Sequence, residues 1–215
     1  MSDVPRYVKS EKGFDRVVFF SDAVVAIAMT LLILPVVDDI SNVSTDATVT
    51  ALLDDIGGRL LAFGISFAVI AKFWTVHHMM FERIESYTAA VIWWNMAWLA
   101  SIVFLPLPTE VLGTLHNSRG ASAFYILSVW AVSVALIGLN LAMAAAPDLH
   151  KEGGEPVERT GGVAVSIMIL VALAIALAFP TVGLYAMFAL VLAEPLDRYL
   201  IRRLVPTSPA ATTSE

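Results

Sequence analysis

The sequence has 215 residues, of which 58% are hydrophobic and only 15% charged, and its mean hydropathy is +0.79. Soluble domains are about half apolar and about a quarter charged, so this composition excludes an ordinary soluble protein. The net charge of −6 argues against nucleic acid as a partner, and the lack of cysteine excludes disulfides and thiolate chemistry.

The apolar residues form long blocks, each close to the roughly 20 residues that a helix needs to cross a bilayer core of about 30 Å. The blocks predict an all-α integral membrane protein with six transmembrane helices, at 16–37, 58–81, 88–112, 121–146, 161–179 and 182–201. The domain layout is then a cytoplasmic N-terminal segment at 1–15, a transmembrane domain at 16–203 and a disordered cytoplasmic tail at 204–215.

Proline and charge refine this layout. Pro106 and Pro108 predict a kink or an end in the third helix, which neighbouring helices can tolerate. The first block follows a mixed-charge leader and lacks a small-residue cleavage site, so we expect it to remain as a helix of the mature protein.

Lysine and arginine are unevenly distributed over the predicted loops, and this bias sets the orientation. With both termini in the cytoplasm, the outer side holds only Arg59 and Arg119. The inner side holds Arg6, Lys9, Lys12, Arg16, Arg83, Lys151, Arg159, Arg198, Arg202 and Arg203. The pattern predicts a multi-pass protein of the cell membrane with both ends inside.

Asp22 lies within the first predicted helix, where a carboxylate is costly unless it is paired or hydrated. Two roles remain open from the residue alone. It either lines a water-filled path or holds helices together through a buried hydrogen-bond network, and we favour the second.

The first helix also carries Ala23, Ile27, Thr30 and Leu34 at spacings that place them on one face. Ordinary helix packing explains such a stripe. If copies of the helix instead surround an axis, Ile27 and Leu34 form apolar rings that close a pore by dewetting. Thr30 then supplies a ring of hydroxyl oxygens between them.

The second helix carries two adjacent histidines, His77 and His78. Neighbouring residues on a helix point about 100° apart, so the pair cannot chelate one metal as residues at i and i+4 can. One of them more simply faces the bundle and forms a hydrogen bond, for which Asp22, Ser21 and Asn95 are candidate partners. Asn95 is itself a polar group at membrane depth, which favours a link between helices.

A segment near 38–58 reads as a polar outer loop. It carries the acids Asp38, Asp39, Asp46, Asp54 and Asp55 with no basic residue before Arg59. These acids either concentrate cations near a pore mouth or belong to a merely solvated loop.

Three segments resemble the signature of the transmembrane protein 175 family of potassium channels. They are the run Arg16-x-x-x-Phe20-Ser21-Asp22 with the Ala-x-x-Ala-Ile-Ala-x-Thr-x-x-x-Leu stretch after it, Trp74-x-x-His77-His78 and Trp94-Asn95. The resemblance is close over 16–106 and extends beyond by hydropathy and length. A single six-helix unit is similar to the prokaryotic members.

The resemblance implies a homotetramer with a central pore lined by the first helix. Ile27 corresponds to a hydrophobic constriction and Leu34 to a further apolar position facing the pore, on the face that Ala23 shares. Thr30 corresponds to a layer linked to potassium preference. The resemblance also implies a motif network that sets the position of the first helix, formed by Arg16, Phe20, Ser21, Asp22, His77 and Asn95.

The function implied is passive conduction of potassium with modest preference over sodium, in a bacterial inner membrane. The expected partners are potassium ions, the lipid bilayer and further copies of the chain. No catalytic residue, cofactor or structural metal is expected, with potassium passing transiently near Thr30. Two rivals are a proton-coupled secondary transporter using Asp22 and His77, and an intramembrane enzyme using both histidines with Asp22.

Overall fold

The computed structural model describes residues 7–8, 11–41, 48–115, 118–151 and 162–178. Seven helices lie in these ranges: α1 Glu11–Leu31, α2 Leu34–Ser41, α3 Val49–Phe81, α4 Ala89–Phe104, α5 Pro106–Thr114, α6 Arg119–Ala144 and α7 Val163–Ala178. Two short strands, β1 Tyr7–Val8 and β2 Tyr87–Thr88, pair antiparallel, and a 3₁₀ turn spans Pro147–Leu149. The fold is mostly helical, and the small β-ribbon is an addition to the all-α prediction.

Four helical stretches are long and apolar enough to cross a membrane. They are Lys12–Ile40, Val49–Phe81, Ala89–Thr114 and Arg119–Ala144. A shorter apolar helix, Val165–Ala178, occupies most of the fifth predicted span. The sixth span at 182–201 and the predicted tail at 204–215 lie outside the described residues. A count of six helices therefore stays a prediction.

Two of the long stretches are interrupted beside proline, which lacks a backbone N–H and whose ring clashes with the preceding turn. The first helix breaks at Leu32 and Ile33, just before Pro35. The third breaks at Leu105, immediately before Pro106, so the predicted interruption there is confirmed. The first break separates α1, which packs on α4 and α3, from α2, which packs on α3.

The prediction of a polar outer loop near 38–58 is wrong over much of that segment. Asp38 and Asp39 lie in α2, while Asp54 and Asp55 lie in α3. Thr48 starts α3 early, because its hydroxyl caps the helix by accepting a hydrogen bond from the Ala51 backbone N–H at 3.3 Å. Hydropathy detects only the apolar part of a helix and misses polar turns that extend beyond it. Asp46 lies outside the described residues.

The bundle has two ends. At the N-terminal end, β1 pairs with β2, Ile84 bridges to His150, and the Lys151 backbone N–H donates to the Arg83 carbonyl at 3.2 Å. At the far end, Arg59 of α3 contacts Asp39 of α2 and Glu110 of α5. Helix α1 also starts earlier than predicted, at Glu11 rather than at 16.

Gly138 of α6 packs directly against Trp94 of α4. A Cβ atom built there would overlap the indole ring of Trp94, well inside van der Waals contact. Gly64 of α3, by contrast, has no atom within 4 Å of the same constructed position. The missing side chain at Gly138 therefore leaves the space that the Trp94 ring occupies against α6.

We expect Gly138→Ala to destabilise the protein by about 1–3 kcal/mol, the usual cost of overpacking a close contact. Gly64→Ala is the matched control and should be neutral or slightly stabilising, since alanine favours helix over glycine by roughly 1 kcal/mol. Thermal unfolding of both variants in detergent measures the difference. A Gly138→Ala protein that melts no lower than Gly64→Ala would contradict the packing.

Candidate pore-lining helix and its polar anchor

The first helix has one buried face and one uncovered face. The buried face carries Val25, Ala28, Leu32 and Val36, each at most 5% exposed. The predicted stripe lies on the uncovered face, where Ile27 is 59% and Leu34 49% exposed and where Ala23 and Thr30 are also exposed. Within the protomer, nothing among the described residues buries this stripe.

The Thr30 hydroxyl has a defined direction. Its Oγ1 donates to the carbonyl of Ile27 in the preceding turn, at 2.8 Å. A hydroxyl has one hydrogen and two acceptor lone pairs, so its hydrogen is used within the helix and its oxygen can still accept. The uncovered face therefore offers one hydroxyl oxygen between two apolar side chains.

Three buried polar side chains connect α1, α3 and α4. Asn95 Nδ2 donates to Ser21 Oγ at 2.9 Å, and Ser21 Oγ donates to the Val17 carbonyl at 2.8 Å. His77 Nε2 lies 2.8 Å from Asn95 Oδ1 and donates to it, because an amide oxygen only accepts. The exposed fractions of Ser21, Asn95 and His77 are 0%, 0% and 2%. Of the partners considered from the sequence, His77 therefore bonds to Asn95.

The imidazole of His77 is also fixed by aromatic rings. It stacks on Trp98 with ring centroids 4.0 Å apart and planes 8° apart, and it lies 4.5 Å from the ring of Phe81. Trp98 is fully buried. These rings therefore fix the orientation of the imidazole and the direction of its N–H bond. The chain of hydrogen bonds through His77, Asn95 and Ser21 then holds α1 at one rotation relative to α3 and α4.

Asp22 has a separate partner. Its Oδ1 accepts a hydrogen bond from Trp74 Nε1 at 2.8 Å, and the indole of Trp74 stacks on His78 at 5.3 Å between centroids. His78 in turn lies 3.4 Å from Glu82 Oε1. Sequence reasoning did not pair Trp74 with Asp22, although an indole N–H at membrane depth needs an acceptor and Asp22 was an acceptor at a similar depth.

Arg16 and Phe20 lie outside this hydrogen-bonded chain. Both are exposed, Phe20 to 52% of its surface, and both project from the N-terminal part of α1. The structure thus brings together Ser21, His77 and Asn95, and it leaves these two motif residues at the surface of the protomer.

A second buried polar cluster was not predicted. Ser66 Oγ of α3 lies 2.7 Å from Thr109 Oγ1 of α5 and 3.1 Å from Tyr125 Oη of α6. The Thr109 hydroxyl also bonds to the Leu105 carbonyl at 2.7 Å, at the break between α4 and α5. The cluster links three helices at the position where proline removes a backbone hydrogen bond. In the described part of the chain, no group of three His, Asp or Glu side chains could hold a metal.

A family model, similar proteins and a solved structure all relate this chain to the same family. Residues 16–106 match the family model described as "Endosomal/lysosomal potassium channel TMEM175". A potassium channel of Chamaesiphon minutus is 37% identical over 121 residues, which cover 54% of this chain and 58% of that protein. The human endosomal/lysosomal proton channel TMEM175 is 36% identical over 99 residues, 43% of this chain and 20% of that protein.

A solved structure extends the likeness to most of the chain. The crystal structure of a lysosomal potassium-selective channel TMEM175 homolog from Chamaesiphon minutus superposes with a TM-score of 0.69 at 26% identity. It covers 86% of this chain and 98% of that one. In sequence, the chain spans only 54% to 61% of the lengths of the bacterial relatives that it matches. The resemblance inferred from the motifs is confirmed, and the family is one of ion channels rather than enzymes.

Proposed function

Since this chain is related to the TMEM175 family of ion channels through residues 16–106, we propose that it is a potassium channel of the cell membrane. Conduction is passive, with modest preference for potassium over sodium. In this proposal the chain forms a homotetramer, the first helix of each copy lines a central pore, and both termini are cytoplasmic in a bacterial inner membrane. Support comes from the bacterial relatives, which are named potassium channels.

The observation that carries the proposal is the uncovered face of the first helix. The opposite face of this helix is buried, and polar bonds fix the rotation of the helix. Among the described residues of the protomer, none covers the stripe with Ile27 and Leu34. Lipid would cover a plain apolar face equally well. Thr30 in the middle of the stripe favours an aqueous axis, because an outward-facing hydroxyl oxygen gains little from hydrocarbon.

The mechanism follows from the size of the desolvation penalty. A bare ion in hydrocarbon costs tens of kcal/mol by idealised estimates, so it must keep most of its water. Rings of Ile27 and Leu34 control whether water fills the pore, and a dry ring blocks conduction. Thr30 oxygens replace part of the hydration shell between these rings. A few hydroxyls offer fewer ligands than a carbonyl filter, so selectivity is modest.

In this proposal the buried polar side chains Ser21, Asn95 and His77, together with Asp22, position the first helix and do not carry protons. Asp22 and His77 have different partners, Trp74 for the carboxylate and Asn95 for the imidazole. A relay between Asp22 and His77 would need both groups to exchange protons along one path. The separate partners support a positioning role for Asp22 and argue against the proton-coupled transporter.

The experiment is reconstitution into planar bilayers with potassium and sodium on opposite sides. We expect a potassium-selective reversal potential without any requirement for a proton gradient. Because animal relatives are named proton channels, a pH step across the same bilayer belongs in the experiment. A reversal potential that follows the pH step and ignores the cations would overturn the proposal.

Thr30→Ala should reduce the preference for potassium over sodium, because it removes the one hydroxyl oxygen of the stripe. We expect the bi-ionic reversal potential to move towards zero while current persists. Thr75→Ala is the matched control, since the exposed Thr75 hydroxyl is likewise bonded to a backbone carbonyl, that of Ala71 at 2.8 Å, but lies on α3. Equal permeability ratios in Thr30→Ala and the parent would remove Thr30 from the mechanism.

A further inference from the structure

We propose that Arg59 is a positioning residue that latches α2, the far segment of the first helix, to the scaffold formed by α3 and α5. This inference rests on the proposed channel function, because α2 begins with Leu34 of the pore stripe. Through this latch Arg59 sets how far the Leu34 ring is open, although Arg59 does not contact the stripe.

The guanidinium of Arg59 joins three helices. Its Nη1 forms an ion pair with Asp39 Oδ2 of α2, and its Nε lies 3.6 Å from Glu110 Oε1 of α5. Its Nη2 donates to Thr114 Oγ1 at 3.4 Å, and Thr114 Oγ1 donates to Glu110 Oε1 at 2.9 Å. The side chains of Arg59 and Asp39 are only 27% and 24% exposed. One planar cation therefore bridges two carboxylates from different helices.

The absence of a side chain at Gly113 of α5 leaves room for the stem of Arg59. A Cβ atom at Gly113 of α5 would lie 2.9 Å from Arg59 Cγ and 3.1 Å from Arg59 Cα. The stem of Arg59 thus lies directly against the backbone of α5. Such close packing limits the positions that the guanidinium can take, so less side-chain entropy is lost when it forms the ion pairs.

The apolar packing of α2 within the described part of the protomer is one-sided. The break at Leu32 and Ile33 separates it from α1, and α3 is its main packing partner. Its apolar side chains Leu34, Val37 and Ile40 are 49%, 52% and 45% exposed, and Val36 is the buried one at 5%. The ion pair between Arg59 and Asp39 therefore adds a polar attachment to a segment whose apolar packing is confined to one side.

The geometry also gives the direction of the effect. Asp39 and Leu34 point about 140° apart around α2, at about 100° per residue. The latch on Asp39 therefore draws α2 towards α3 and α5, away from the side on which Leu34 faces the proposed axis. When the latch is cut, α2 is free to lean towards the axis, and the Leu34 ring closes more often.

The test combines current with a structural readout. Arg59→Met keeps the stem but removes the charge, and Asp39→Asn removes only the partner on α2. The chain has no cysteine, so a spin label on Ile40→Cys reports the mobility of α2 alone. Both variants should make this label more mobile and should lower the open probability in planar bilayers, by roughly threefold. Their double variant should show no larger effect than either single one.

Arg119→Met is the matched control. Arg119 is the other arginine predicted on the outer side, it is exposed, and it begins α6. It should leave both label mobility and open probability unchanged, which separates the latch from a general loss of charge at the far end. A label spectrum or an open probability in Arg59→Met that equals the parent overturns the proposal, as does an equal change in Arg119→Met.

The spectra of the spin label on Ile40→Cys can be measured whether or not the protein conducts. If the parent passes no potassium current but the label becomes mobile in Arg59→Met and Asp39→Asn, the channel proposal fails and the attachment of α2 by Arg59 stands. If the parent conducts and the label stays immobile in both variants, the latch fails and the channel proposal stands.

Discussion

Asn95→Leu should lower the free energy of unfolding by about 1–3 kcal/mol and reduce potassium current by about tenfold or more. Leucine has a similar size but leaves the His77 Nε2–H without its acceptor and Ser21 Oγ without its donor, both fully buried. A buried group without a partner costs about 1–3 kcal/mol in protein interiors, and hydrogen bonds within membrane bundles average nearer 0.6 kcal/mol. A tenfold loss of current corresponds to about 1.4 kcal/mol of mispositioning of the first helix.

Thr75→Val is a matched control for the loss of a polar side chain. The Thr75 hydroxyl is exposed and bonds only to the backbone carbonyl of its own helix, so its removal should change melting and current little. Thermal unfolding in detergent and bilayer current are measured on the same preparations. An Asn95→Leu protein with the stability and current of Thr75→Val would show that the chain of polar bonds does not set the first helix.

Ile27→Ala should raise potassium conductance by about tenfold. The proposed barrier at this ring is the cost of filling an apolar constriction with water, and a smaller side chain widens the ring and lowers that cost. A barrier lowered by about 1.4 kcal/mol increases the rate of passage about tenfold. The selectivity over sodium should fall at the same time, because ions then pass with more of their water.

Ile167→Ala provides the comparison. Ile167 of α7 is the same residue type and is 57% exposed, close to the 59% of Ile27, but it does not lie on the first helix. Single-channel recordings of the two variants separate a pore residue from any exposed isoleucine. Conductance that is unchanged in Ile27→Ala, or raised equally in Ile167→Ala, would exclude Ile27 as the constriction.

The sequence predicted those features that depend on local pattern. Hydropathy located the long helices, and proline located the break at Leu105 and Pro106. The spacing of Ile27, Thr30 and Leu34 predicted one helix face, and in the described part of the chain no side chain covers that face. Whether it lines a pore depends on other copies of the chain, so the roles of these residues stay predictions.

Features that depend on distant partners were harder to predict. Trp74 and Asp22 are 52 residues apart in sequence, and Asn95 and Ser21 are 74 apart. A short list of polar residues at membrane depth limited the choice for His77, and Asn95 was among the candidates. The same reasoning missed the ion pairs of Arg59, because the segment before it was interpreted as a polar loop when much of it forms turns of α2 and α3.

The most direct measurement uses the absence of cysteine from the chain. Leu34→Cys is reconstituted in planar bilayers and exposed to a positively charged methanethiosulfonate reagent, with Ile167→Cys as the matched exposed position outside the first helix. If the uncovered face of the first helix lines the pore, the reagent abolishes potassium current through Leu34→Cys and leaves Ile167→Cys unaffected. A Leu34→Cys protein that conducts equally well before and after demonstrated modification would contradict a pore on this face.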